Sequence, residues 1–288
     1  MKLPIRKILI AVLACVFIFA SGMMLWQYLN SRNAAQSNDL AQSLINLPSY
    51  EDILTVPPGV GELTPSEDTS EEVPVATPPD RHTQMLLQTD LSALQSINSD
   101  VIGWILIPGT DVNYPLLHTT DNSTYLHTAW DGSYNQAGSI FMETRTNPDM
   151  EDFNTIIYGH NMRNGSMFAT LMRYKDAQYP LDYPYIYIVT KEGVYKYTIF
   201  AGYEAAVVSD TYRLIFKDDL EKQTAIDSYL ERSVWESPVQ PTVTDRVLTL
   251  STCTGTGRYE TRWVIQGMFS GFWAKTEAGI QQNTGLTE

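Results

Sequence analysis

Cysteine is nearly absent: the 288 residues hold two, Cys15 and Cys253. Cys15 lies inside an apolar run, so a bridge to Cys253 is implausible once that run crosses a bilayer. A disulfide framework is excluded with it. Basic residues are few, 19 Lys and Arg against 33 Asp and Glu, for a formal net charge of −14. With no basic stripe beyond the first few positions, that balance argues against a nucleic-acid partner, because neutralising phosphates takes clustered cations. No internal repeat stands out. No carboxylate cluster calls for a metal, and neither metal nor cofactor is expected. The apolar share of 43% is ordinary for a chain of this length, so a packed core is within reach.

One long hydrophobic run is present, ILIAVLACVFIFASGMMLW at 8–26. It carries no charge and is long enough to cross the hydrocarbon core as a helix. Lys2, Arg6 and Lys7 flank it, and basic flanks stay on the cytoplasmic side, so the N-terminus is expected inside and the rest of the chain outside. A cleaved signal peptide is the rival reading. Against it, the run exceeds a usual signal core, and Ala20-Ser21-Gly22 falls inside it. Residues 1–30 therefore read as a cytoplasmic tip and single-pass anchor in the cell membrane. Residues 33–47 allow a short helix. The following stretch, PSYEDILTVPPGVGELTPSEDTSEEVPVATPPD, is rich in Pro, Ser, Thr, Glu and Asp and poor in aromatics. Such a segment cannot bury enough apolar surface to offset ordering entropy. Residues 31–81 are expected to form an extended extracellular stalk, 82–275 the folded domain, and 276–288 a polar tail.

In the folded part, apolar residues at helical spacing predict one amphipathic helix over 85–97. Short β-type runs then follow at 101–107, 112–117, 139–143, 155–158, 185–190, 194–203, 246–251 and 262–269, separated by turn residues. Helical stretches are predicted at 166–174 and 218–234. Many short strands with few helices suggest a mostly β barrel or sandwich.

Chemistry concentrates in two places. VLTLSTC is a strand pattern that delivers the Cys253 thiol at its end, and nine residues on, Arg262 opens the next strand. Neighbouring strands so joined bring a thiol and a guanidinium together. A cation there favours thiolate and can donate to an oxyanion once a carbonyl is attacked. Arg258, in the connecting loop, is the rival; Arg262 is preferred because a strand start is better fixed. Read alone, Cys253 is better explained as a small buried hydrophobe than as a nucleophile. The second place is NTIIYGHNM, where a short strand runs into Gly159-His160-Asn161. Of the four histidines, His82 falls at the stalk boundary, His118 follows an apolar run and His127 sits in an irregular stretch. Only His160 combines a strand end with adjacent Gly and Asn.

TLSTC with a downstream Arg, and YGHNM about ninety residues earlier, resemble the sortase family. DVIGWILIPGTDVNYPLL, AGSIFMETR, DFNTIIYGHNMRNGSMFATLMRY and a helical insertion before the last two strands are similar to class B members. The resemblance covers residues 82–272. The order His, Cys, Arg also differs from papain-like enzymes, in which Cys precedes His. The resemblance implies a mostly β fold, an eight-stranded sortase-type barrel with an N-terminal helical extension. It implies Cys253 as nucleophile, His160 as acid/base and Arg262 as oxyanion donor, with Asn113, Leu117, Tyr212, Ser251 and Thr252 along the substrate groove. Thr254 and Arg213 depart from the family pattern and bear on substrate preference. The implied activity is transpeptidation: cleavage of an NPxTN- or NPxTG-like C-terminal sorting signal after Thr, then transfer to a peptidoglycan-precursor or pilin amine. Partners would be secreted proteins bearing such signals. Two other readings stay open: a sortase-like cysteine peptidase that mainly hydrolyses, and a silent surface-binding β-domain.

Overall fold

A computed structural model describes residues 5–45, 47, 78–254, 260–275 and 281–282. Eight strands form one closed barrel: β1 (Val101–Leu106), β2 (Asn113–Leu117), β3 (Ile140–Met142), β4 (Asn154–Tyr158), β5 (Tyr185–Val189), β6 (Gly193–Ala206), β7 (Val247–Cys253) and β8 (Thr261–Ala274). Their order is β6-β5-β1-β2-β3-β4-β7-β8, and β6 pairs with β8 to close the ring. β6 and β8 have 14 residues each and pair from end to end. Register shifts at Lys196/Tyr197 and Ile199/Ala201 let so long a ribbon bend around the barrel. A two-residue strand, β9 (Gln281–Gln282), adds to Trp273 and Ala274 within the expected tail.

Two neighbouring pairs are parallel, β2 with β3 and β4 with β7. Parallel neighbours need a crossover rather than a hairpin. The β2–β3 crossover, residues 118–139, contains a 3-10 turn at Thr124–Leu126 and runs over one end of the barrel. Helix α5 (Asp219–Arg232) is inserted between β6 and β7, capped by the Asp218 carboxylate on Glu221 N–H. Its Ala225 and Tyr229 pack with Phe200, Tyr203 and Val247 on the outer face of the sheet.

The helix predicted over 85–97 is two helices, α2 (Arg81–Leu86) and α3 (Ser92–Ile97). Asp90 breaks it: its carboxylate accepts from Ser92 N–H at 2.9 Å, a local bond that competes with helix continuation. Between β4 and β5 the 166–174 helix is a 3-10 segment, Ala169–Lys175, followed by one turn, α4 (Tyr179–Asp182).

The N-terminal helix α1 (Ile5–Leu44) is longer than expected. Leu9–Trp26 is apolar and unburied, whereas Ala41 and Ile45 are buried with Leu94, Trp104 and Leu117 in a cluster outside the barrel. Trp130 Nε1 donates to Ser37 O at 2.8 Å, and Gln42 Nε2 to Asn113 O at 3.3 Å. The first third of the expected stalk is thus helix docked on the domain, because Ala41 and Ile45 give it an apolar stripe. The chain returns at Asp80, which pairs with Lys196 at 2.5 Å and accepts from Tyr187. The Pro- and Ser-rich remainder of the stalk, 48–77, lies outside the described residues.

Candidate active site

Three strand ends meet at one rim of the barrel. β4 and β7 run parallel with Tyr158 opposite Ser251. Gly159 N–H then donates to Ser251 O at 3.2 Å. Two residues beyond that last register pair stand His160 on one chain segment and Cys253 on the other. Asn161 Nδ2 donates to Cys253 O at 2.9 Å and ties the two segments together. On the other side of β7, Cys253 and Arg262 are direct partners in the antiparallel ladder. Cys253 is exposed and Arg262 half-buried. A thiol, an imidazole and a guanidinium therefore share one rim.

Every residue of β7 before Cys253 is buried. Strand alternation puts Ser251 on the same face as Cys253 and Thr252 on the opposite one. Ser251 Oγ lies 2.9 Å from the Tyr212 hydroxyl. Burial raises the Tyr212 pKa; the Ser251 bond and the Arg262 charge oppose it, and charge on Cys253 adds to it. Tyr212 is held by Asn154, fully buried on β4, whose Nδ2 donates to the carbonyls of Thr211 and Arg213 at 3.0 and 2.9 Å.

His160 is fixed from the β2–β3 crossover. Its Nε2 lies 2.8 Å from Leu126 O. A carbonyl only accepts, so in the neutral ring the proton sits on Nε2, and Nδ1 is left as the nitrogen able to exchange one. The His127 ring stacks on that of His160 at 6.0 Å between centroids and 18° between planes. Burial lowers the His160 pKa; the Leu126 bond opposes this, and the charges of His127 and Arg262 add to it.

Of the residues expected at the site, the structure brings together His160, Cys253, Arg262, Ser251 and Tyr212. The other three are engaged elsewhere. Asn113 Oδ1 accepts from Trp104 Nε1 at 2.6 Å, and its carbonyl accepts from α1. Leu117 is fully buried among Tyr125, Trp130 and Phe141. Thr252 is buried, with a hydroxyl that finds no partner among the described residues. Strand alternation, invisible without the register, turns Asn113 and Leu117 to the same face of β2, Leu117 into the cluster beneath α1, and Thr252 to the face of β7 opposite Cys253. Thr254 is buried, its hydroxyl 3.3 Å from that of Thr261, and Arg213 pairs with Glu221. Arg258 lies outside the described residues. Leu126, His127, Asn154 and Asn161 join the site without having been singled out. Their contacts span 33 to 92 residues of chain, and no local pattern announces them. Among the described residues no group of three or more His, Cys, Asp or Glu could hold a metal.

The sortase domain model matches residues 105–269. The chain is 38% identical to Sortase B of Listeria monocytogenes over 186 residues, 63% of this chain and 74% of that protein. It is 34% identical to Sortase B of Staphylococcus aureus over 167 residues, 58% of this chain and 68% of that one. Among solved structures, a Staphylococcus aureus sortase B–substrate complex superposes with TM-score 0.59 at 32% identity, covering 62% of this chain and 84% of that one. Sortase B from B. anthracis in complex with AAEK1 superposes with TM-score 0.64 at 26% identity, covering 84% and 98%.

Proposed function

This chain belongs to the sortase family, in class B, and is a cysteine transpeptidase; on that premise we propose that it is anchored in the cell membrane and attaches secreted proteins to an envelope amine. The observation that carries the reading is the meeting of Cys253, its ladder partner Arg262 and His160 at one rim. Cys253 thiolate attacks the carbonyl of the Thr in a C-terminal NPxTN- or NPxTG-like signal. The electron pair moves to oxygen, and Arg262 donates to that oxyanion. As the oxyanion collapses, the C–N bond breaks and His160 gives its proton to the leaving amine. A thioester on Cys253 remains. A peptidoglycan-precursor or pilin amine then attacks it and returns a proton to His160, and the C–S bond breaks to restore the thiolate. Ser251 and Tyr212 line the groove beside the nucleophile; the existence of a substrate complex of the Staphylococcus aureus relative supports a groove at this place.

Helix α1 spans the bilayer over Leu9–Trp26. Lys2, Arg6 and Lys7 remain on the cytoplasmic side, and the barrel is outside. The folded unit begins with the docked end of α1 rather than at residue 82. Tethering enzyme, client and lipid-linked amine to one membrane face raises their effective concentration.

The test uses the full chain in detergent micelles with fluorogenic NPxTN, NPxTG and LPxTG peptides, beside a Cys253→Ala control, and products identified by mass with and without added amine. Cleavage of an NPxT-type peptide that the control loses, with amine-dependent product, supports the whole reading. Preference for LPxTG removes the signal assignment. Hydrolysis that added amine leaves unchanged removes the transfer step. An inert Cys253 removes the catalytic assignment.

A further inference from the structure

Chemistry of the family uses one histidine, and this rim holds two. His127 is exposed, stands next to the residue whose carbonyl holds His160, and stacks nearly parallel on the His160 ring. The turn that presents it is rigid. Asp121 accepts from the N–H groups of Ser123 and Thr124. Asn135 N–H donates to His127 O at 2.9 Å, and Ser139 N–H to Tyr125 O at 2.9 Å. Glu143, buried on the strand side, accepts from both Asn122 Nδ2 and the Tyr158 hydroxyl. One carboxylate thus links the start of the His127 turn to the end of the strand that delivers His160. The backbone beneath both rings is therefore fixed by the fold.

A charge on one imidazole of such a stack disfavours a charge on the other. The other charged group that acts on the His160 ring is Arg262 from β8, and Cys253 stands on the neighbouring strand, two residues past the last register pair. His127 is the second imidazole at this rim, and its exposure puts it in direct contact with water.

We propose that His127 is a positioning residue that acts through His160: stacked on it and open to solvent, it shares the proton of the pair and thereby sets the pH window in which His160 can protonate the leaving amine. This rests on the reading of His160 as the acid/base group. His127 touches neither thiol nor scissile bond in the scheme. A positive His127 makes His160⁺ a stronger acid, and a neutral one lets His160 keep its proton to higher pH.

The experiment is an NMR titration of the full chain in detergent micelles, with histidine labelled at Cε1, between about pH 5 and pH 9. There are only four histidines, so His82 and His118 serve as internal references. In the wild type the His127 and His160 signals follow linked, two-step curves. In His127→Phe, which keeps a flat ring but not the charge, the His160 curve becomes a single step at higher pH. The high-pH limb of peptide cleavage moves the same way, with about tenfold more rate at fixed pH on that limb per unit of displacement. His127→Ala gives the same displacement with an added uniform loss of rate from the missing stack. A His160 curve unchanged in His127→Phe overturns the inference, even where the rate drops uniformly. His160→Ala separates this from the underlying reading. If that variant still cleaves, the acid/base assignment fails and the inference with it; if it is inactive while His127→Phe leaves the His160 curve in place, only the inference fails.

Discussion

The Nε2 of His160 and the carbonyl oxygen of Leu126 lie 2.8 Å apart across 34 residues of chain. This contact selects the tautomer and the plane of the ring, and backbone rather than a carboxylate supplies it.

Gly138 is what lets that backbone approach. Its φ is 58°, and a Cβ there would fall 2.4 Å from Tyr125 O and 2.7 Å from Leu126 O. Gly138→Ala therefore pushes the Leu126 carbonyl away from His160. We expect a loss of about 1–3 kcal/mol from the left-handed backbone and the clash, and a fall in kcat of roughly 10- to 100-fold from the misaligned acid/base group. Gly132 is the control, with φ 84° but open space around it. Gly132→Ala pays the backbone cost and leaves kcat within about twofold of wild type. Thermal unfolding and steady-state peptide cleavage on the two variants decide. Equal loss of kcat in both would detach the turn from His160.

Arg262 stands in the ladder directly opposite Cys253 and donates Nη1 to Thr261 O at 3.1 Å. A planar fork anchored at one nitrogen can aim others at an oxyanion, which a lysine ammonium cannot reproduce. Arg262→Ala is expected to lower the rate of thioacyl formation by about 10²–10³-fold, and Arg262→Lys to recover less than about a tenth of that. Single-turnover mass spectrometry of the Cys253 adduct measures it. A lysine variant close to wild type would mean that a point charge suffices.

Asp80 ties the chain, where it returns to the domain, to strand β6. Its carboxylate caps α2 on Thr83 N–H at 2.7 Å, meets Lys196 at 2.5 Å and accepts from Tyr187 at 3.0 Å. Burial acts to raise its pKa, but the Lys196 and Thr83 bonds outweigh it and the net shift is downward. A depressed carboxylate contributes stability that is present above its unfolded value, near about 3.9, and lost as pH falls through the folded value. Asp80→Asn should therefore cost about 1–3 kcal/mol near neutral pH, with the gap to wild type closing as pH drops below about 4. Urea unfolding at several pH values tests this; a gap that persists at low pH would mean that shape, not charge, is what Asp80 supplies.

The parts of this architecture that depend on local pattern were legible in the sequence. The strand pattern of VLTLSTC placed Cys253 at a strand end, the helical stretch over 218–234 placed α5, and the spacing to Arg262 made it the ladder neighbour. Facts that depend on register were not. Asn113 and Leu117 read as groove residues; in the structure one binds Trp104 and the other packs in the cluster beneath α1, and only the register shows which face each takes. His127 read as irregular because its meaning comes from a crossover that returns it to His160. Most of 31–44 read as stalk because Ala41 and Ile45 form too short an apolar stripe to stand out beside the long run before them.

That docked stripe changes what the anchor does. At about 1.5 Å of helix per residue, the first docking bond, Trp130 to Ser37, comes roughly 16 Å beyond Trp26. In the proposed anchoring, a helix continuous from the bilayer to its docking site would hold the Cys253 rim at one height and one orientation, where a flexible stalk would let it wander. Ala41 is fully buried, so Ala41→Glu inserts a charge into that interface and should undock the helix at a cost of about 2–4 kcal/mol. Trp130→Phe removes the hydrogen bond and part of the buried ring, and should cost about 1–3 kcal/mol without placing a charge in the interface. Neither residue touches the site, so cleavage of a soluble peptide should stay within about threefold of wild type in both. Transfer of a membrane-retained client should fall by about tenfold or more in Ala41→Glu and little in Trp130→Phe, because only the first loses the enforced geometry that sets effective concentration. The comparison is made on the full chain in vesicles, with soluble peptide and membrane-bound client assayed side by side. Equal loss on both substrates would mean that undocking damages the barrel itself; no loss on either would mean that the height set by α1 does not govern access to clients.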